Sequence, residues 1–242
     1  MSGLFLLGIS GGGMLRHVAK KYLGATVMLV RLNRQAGQVD GIGSAFLCHD
    51  SGYLLTCAHT FRLTDELGIV EPEIRADGFM PMQTSSANVA EVKVAQYDAE
   101  HDVALLKLSG VSDISSFSQI FMAEEEVEIG ASVAYIGVPF PKEGQHARHV
   151  CQSIISSKVL SSNGTRQFQL DALIHEGCSG GPVIDVQKAR ILGIVSGRFS
   201  PVATSPIKMN VNGKTMGSES AVGYAISIAY GLDLLRAEGL NV

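Results

Sequence analysis

Glu176-Gly177-Cys178-Ser179-Gly180-Gly181-Pro182 encloses one serine between glycines. A serine becomes a nucleophile only beside a base, so the histidines decide how this segment is read. The chain has seven, at 17, 49, 59, 101, 146, 149 and 175, and none follows Ser179. His59 closes Leu55-Thr56-Cys57-Ala58-His59, directly after an apolar run, and an acid opens another apolar run in His101-Asp102-Val103-Ala104-Leu105-Leu106. The order along the chain is histidine, aspartate, serine.

That order excludes two rivals. Gly177-Cys178-Ser179-Gly180-Gly181 satisfies the Gly-x-Ser-x-Gly pattern of the α/β-hydrolase elbow, but that arrangement needs its histidine after the serine. A subtilisin-like order needs an acid before the histidine, and Asp40 and Asp50 lack that setting. In order and in local context the three segments resemble the trypsin/chymotrypsin-fold serine proteases. The resemblance implies His59 as general base, Asp102 as its orienting acid, and Ser179 as nucleophile. It also implies an oxyanion hole built from the backbone N–H groups of Gly177 and Ser179, for which side-chain-poor flanks are needed.

Digestive and clotting members of this family carry an acid just before the serine, which pairs with a freshly cut amino terminus. Cys178 cannot form that pair, and no Ile/Val-Val-Gly-Gly start is present. Leu170-Asp171-Ala172 and Gly223-Tyr224-Ala225-Ile226 instead resemble segments of the HtrA/Deg-like branch. No PDZ-type domain is expected, because little chain remains after the last expected strand. The resemblance places the floor of the primary pocket at Leu173, six residues before the nucleophile, and its opposite wall along Ile194-Val195-Ser196. An aliphatic floor implies cleavage after small or aliphatic residues.

The rest of the chain agrees with an all-β fold. Twenty-seven glycines against seven prolines suit short strands joined by tight turns. Apolar runs at 25–32, 43–48, 53–57, 89–97 and 103–108 form one strand set, and 131–138, 150–160, 167–173, 191–196 and 221–228 form a second. Ser109 to Glu128 reads as a linker, Phe61 to Ala87 as irregular, and Ala229 to Glu238 as a helix ended by Gly239. With the resemblance this gives two six-stranded antiparallel β-barrels and a C-terminal helix: a leader over 1–24, a first barrel over 25–115, and a second barrel with the helix over 116–242.

A net charge of −4 gives no electrostatic reason to expect nucleic acid, and no apolar run reaches the roughly 20 residues of a membrane span. Leu4 to Ile9 is apolar but short and lacks a basic residue ahead of it, so a cytoplasmic location is expected. Cys48, Cys57, Cys151 and Cys178 show no Cys-x-x-Cys spacing and are expected to be reduced, mostly buried thiols. No metal or cofactor is expected: His146-x-x-His149 with Cys151 reads as loop polarity, and Gly213-Lys214-Thr215 lacks the first glycine of a phosphate loop. The expected activity is a serine endopeptidase acting on peptide or unfolded protein through an acyl-enzyme. The alternative is a catalytically silent protease-fold module that binds peptides or a partner protein.

Overall fold

A computed structural model describes residues 11–70, 79, 88–110, 120–198, 210–211, 214–215 and 222–242. A first helix, α1 (Gly11–Tyr22), leads into six antiparallel strands: β1 (Thr26–Asn33), β2 (Gln38–His49), β3 (Tyr53–Thr56), β4 (Leu67–Val70), β5 (Val89–Asp98) and β6 (Val103–Leu108). They close into a barrel in the order β1-β2-β3-β6-β5-β4. A second barrel takes β7 (Ser132–Gly137), β8 (His149–Leu160), β9 (Arg166–Asp171), β10 (Pro182–Asp185), β11 (Arg190–Arg198) and, after the short pair β12 (Asn210–Val211) and β13 (Lys214–Thr215), β14 (Val222–Ser227). Its order is β10-β11-β14-β9-β8-β7, and α2 (Ile228–Ala237) follows it. The expected double barrel with a terminal helix is therefore the fold.

The uninterrupted apolar run at Val103 to Leu106 has a simple origin. Successive side chains of a strand face opposite ways. Val103 and Leu105 enter the core shared between the barrels, while Ala104, Leu106 and Leu108 enter the interior of the first barrel. Burial on both faces removes the polar alternation of a half-exposed strand. Ile194 and Val195 divide the same way, one into the shared core and one into the second barrel. Each such Val, Leu or Ile side chain contributes about 1.5–3 kcal/mol by leaving water, and Ala104 less.

Two segments differ from the sequence reading. Within the stretch read as irregular, Leu67–Val70 forms β4, which closes the first barrel by pairing with both β1 and β5. Four residues carry too little periodicity to register, and β4 exists through its neighbours. In the stretch read as a linker, 111–119 lie outside the described residues, but Ile120 and Met122 are buried. Ile191 N–H donates to the Ile120 carbonyl at 2.6 Å, and Met122 N–H to that of Ile191 at 2.9 Å, so this end of the connection is stitched to β11.

The terminal helix is capped at both ends. The Ser227 hydroxyl accepts from Ala229 N–H, and Gly239 at φ +74° turns the chain out, as its sequence position suggests. Glu238 just beyond the helix accepts from Tyr53 and Gln96 of the first barrel, so α2 belongs to the second barrel in sequence and ties onto the first in space.

Candidate active site

His59 sits in a single helical turn, Ala58–Thr60, at the end of β3. The Thr60 hydroxyl holds that turn by donating to the Cys57 carbonyl at 2.7 Å. Asp102 occupies the last position of the β5–β6 turn in a left-handed conformation, φ +59°. Its carboxylate accepts His59 N–H at 2.8 Å through Oδ1 and meets His59 Nδ1 at 2.7 Å through Oδ2. Its carbonyl accepts Ala58 N–H at 3.2 Å. Ring and backbone of His59 are thus both fastened to one aspartate. With Nδ1–H donating to Asp102, the neutral ring offers Nε2 as its acceptor.

Ser179 arrives from the second barrel. Its carbonyl accepts Ser44 N–H at 2.8 Å, and its hydroxyl donates to the Ser196 carbonyl at 2.8 Å rather than to His59. The Ser196 hydroxyl donates to Asp102 Oδ2 at 3.3 Å. Ser196 therefore touches both the aspartate and the nucleophile candidate, and it lies where the sequence places the pocket wall. Ile194 and Val195 take a different place: both side chains are buried in the cores. Val195 also pairs with Ala225 on one side and bonds Gly180 and Gly181 on the other, so the part of β11 that faces the site begins at Ser196.

The turn around Ser179 is shaped by close approach. Gly177 has φ +91°, and a Cβ there would lie 2.2 Å from Pro141 Cδ and 2.4 Å from the Val138 carbonyl oxygen. Gly180 has φ +89°, and its Cβ would meet the Ser44 carbonyl oxygen at 2.0 Å and Thr56 Oγ1 at 2.3 Å. Only glycine satisfies both demands. The Glu176 carbonyl accepts from Phe140 N–H at 2.8 Å. In a trans peptide C=O and N–H point opposite ways, so this bond aims the Gly177 N–H away from Phe140. Neither Gly177 N–H nor Ser179 N–H has a protein acceptor among the described residues. These are two unpaired backbone donors two residues apart among the described residues.

Residues that the sequence did not single out complete the turn. Ser44, fully buried on β2, donates to the Gly177 carbonyl at 2.7 Å and accepts Val138 N–H at 2.9 Å. Phe140, at φ +53°, packs its ring 5.2 Å from that of His175, and Lys142 pairs with Glu176 at 2.6 Å. A lone serine ahead of Ala45-Phe46-Leu47 is a faint signal for Ser44. The sequence holds no comparable signal for Phe140, whose role depends on where the β7–β8 connection passes.

Leu173 is half-buried, and its carbonyl accepts from the Tyr135 hydroxyl at 3.2 Å. Its neighbour Ile174 is buried with its side chain against Gly223, which pairs with Arg198. The thiol of Cys178 lies in the second barrel's core, pushed up to about 12 by burial and then by the neighbouring Cys151. Cys57, Cys48 and Cys178 are buried, Cys151 is half-buried, and none is bonded to another. Cys57, His59 and Asp102 offer ligand atoms within 4.8 Å of one another, a possible donor set for a metal. Cys57, however, donates to the Val195 carbonyl, and burial holds its thiol far above the usual range. A metal there would have to strip that proton and open the His59–Asp102 bond.

A model of the trypsin-like peptidase domain matches residues 43–194, more than half of the chain. A probable periplasmic serine endoprotease, DegP-like, from Rhizobium meliloti is 30% identical over 163 residues, which are 66% of this chain and 28% of that protein. An uncharacterized protein, y4bJ, from Sinorhizobium fredii is 26% identical over 202 residues, 82% of this chain and 29% of its own length. The chain thus spans under a third of these two relatives. Among solved structures, the HtrA-type protease AlgW with tripeptide superposes with a TM-score of 0.65 at 20% identity, covering 92% of this chain and 62% of that one. The barrels and the matched segment agree: this chain belongs to the trypsin-like peptidase family, and DegP-like endoproteases are among the proteins it resembles.

Proposed function

We propose that the chain is a serine endopeptidase that works through Ser179, His59 and Asp102 and an acyl-enzyme. The observation that carries this reading is the junction at Ser196, where one residue bonds both the Asp102 carboxylate and the Ser179 hydroxyl. For attack, the Ser179 hydroxyl leaves the Ser196 carbonyl and turns to His59 Nε2. His59 takes its proton as the oxygen bonds the scissile carbonyl carbon, and Asp102 stabilises the imidazolium. The carbonyl oxygen, now negative, receives the free N–H groups of Gly177 and Ser179. His59 then protonates the leaving amine, the C–N bond breaks, and a water activated by the same ring releases the acyl group and restores Ser179.

Leu173, half-buried at the expected floor, gives the primary pocket an apolar lining, so cleavage follows small or aliphatic residues such as Ala, Val or Leu. A buried substrate cation would find no partner there and lose several kcal/mol, on the order of a broken buried ion pair. The edge from Ser196 onward binds extended peptide or unfolded protein by strand addition. Because the Cys178 thiol lies in the barrel core and carries no charge with which to pair a freshly cut amino terminus, the site needs no proteolytic processing to form. Four unbonded cysteines suit a reducing compartment, the cytoplasm.

One observation favours the alternative of a silent peptide-binding module: the Ser179 hydroxyl rests on Ser196, not on His59. A fluorophosphonate probe separates the two readings. Labelling of the wild type but not of Ser179→Ala is expected, and a wild type that stays unlabelled with and without peptide would establish the silent module. A cleavage profile dominated by Arg or Lys before the cut would move the pocket floor to Asp171, which is exposed at the end of β9.

A further inference from the structure

The turn that delivers Asp102 is held from outside its own barrel. Its first residue, Asp98, accepts His101 N–H at 3.0 Å and meets His101 Nδ1 at 2.7 Å. One face of the His101 ring lies on Tyr230 of α2, with centroids 4.1 Å apart and planes within 16°. The Tyr230 hydroxyl accepts from Arg166 at the start of β9 through N–H, 3.0 Å, and Nε, 3.4 Å. The Glu100 carbonyl in the same turn accepts from Asn163 Nδ2 at 2.6 Å and Thr165 Oγ1 at 3.5 Å in the β8–β9 hairpin. His101 and Glu100, the two residues just ahead of Asp102, are thus tied to the second barrel and its helix.

These ties matter because of the backbone beside them. Asp102 stands at φ +59°, a conformation that an L-residue keeps only when its surroundings over-determine it. The carboxylate on that backbone carries both bonds to His59, so any rocking of the turn moves Asp102 against the imidazole. We propose that His101 and Tyr230 are positioning residues: a stacked clasp, closed between the acid turn and the terminal helix, that holds Asp102 in register with His59. The clasp also makes the acid's position depend on how the second barrel, which carries Ser179, sits against the first.

The proposal rests on the reading of His59 and Asp102 as an acid–base pair, and its test reads that pair directly. Proton NMR of the folded chain follows exchange of the His59 Nδ1 proton with water, and peptide hydrolysis supplies kcat and KM. His101→Ala and Tyr230→Leu should each speed the exchange and lower kcat about tenfold with KM within about twofold, as a sub-ångström misplacement of a catalytic group does. The double variant should be no worse than either single one, because both open the same clasp. His101→Phe keeps the stack and should recover most of kcat. Folded variants that lose only thermal stability, with exchange and kcat unchanged, would overturn the clasp. If His101→Ala does not fold, Asn163→Ala removes one tie from the Glu100 carbonyl and should move both readings the same way by about threefold. No movement in either then decides against the proposal. A wild type inert to fluorophosphonate whose exchange still responds to Tyr230→Leu would sink the peptidase reading and leave the clasp standing.

Discussion

Asp102 and Ser179 reach the same residue, Ser196, from different barrels, and they are held there by different means. Asp102 is fixed through its side chain and carbonyl: four bonds, from Ala58 N–H, His59 N–H, His59 Nδ1 and the Ser196 hydroxyl, all end on that one residue. Ser179 is fixed through the backbone around it, by glycines that let Ser44, Thr56, Val138 and Pro141 close in, while its hydroxyl has a single partner among the described residues. One half of the site resists change at its functional groups. The other resists change at its main chain and leaves its functional group able to turn, as the proposed mechanism asks of a hydroxyl that first donates to His59 and then bonds substrate.

The largest expected effects test whether both halves serve one reaction. Ser179→Ala and His59→Ala should each lower kcat by roughly 10⁶, and the double variant should lose no more, because the groups act as one unit. Asp102→Asn should cost about 10⁴, since an amide favours the wrong tautomer of His59. Hydrolysis of an aliphatic-site peptide measures all four variants. A double variant that loses the product of the single losses would separate the halves into independent contributions.

The next test addresses the main chain. Gly180→Ala would drive a Cβ into Ser44 and Thr56 at positive φ, whereas Gly164→Ala, also at positive φ, meets nothing within 4 Å. Thermal unfolding should show Gly164→Ala down by about 1 kcal/mol, and Gly180→Ala down by more than about 4 kcal/mol or unable to fold. Equal losses would mean that backbone conformation alone, not close approach, demands glycine at 180.

Ser44→Ala probes the contact between the barrels. It leaves the buried Gly177 carbonyl and Val138 N–H without their partner, at about 1–3 kcal/mol for each group. On the proposed mechanism Gly177 supplies an N–H to the oxyanion, so kcat should fall with stability, while KM stays near its original value. A stability loss with kcat intact would show that the turn keeps its shape without Ser44.

The same contrast explains what the sequence discloses. His59 and Asp102 are legible because each ends or opens an apolar run whose two-faced burial is itself a pattern, and Ser179 because glycines crowd it. The double barrel emerges from those runs and their spacing once the resemblance is added. The missing pieces are relational. β4 is too short to announce itself and is defined by its neighbours. Ser44 and Phe140 act through chain segments distant in sequence. Ile194 and Val195 look like a pocket wall until the register shows their side chains in the cores. Ser196 reads as one wall residue among three, and only its contacts with Asp102 and Ser179 set it apart.

The smallest expected effect lies at the outer edge of the acid half. Burial raises the Asp98 carboxyl, but the bonds from His101 N–H and ring outweigh it and hold the group below the ordinary carboxylate range. A carboxyl whose folded value is depressed adds stability above its unfolded value, about 3.9, and loses it as pH falls through the lower folded value. Asp98→Asn removes the charge and leaves an oxygen for His101 N–H. At neutral pH the variant should melt lower, by about 2 °C or less for a partly exposed group. The gap from wild type should then narrow below about pH 4, where the wild-type carboxyl itself takes up a proton. A gap that stays constant from pH 7 to about pH 3 would mean that the Asp98 charge contributes nothing to holding the acid turn, and that shape and stacking alone support Asp102 from that side.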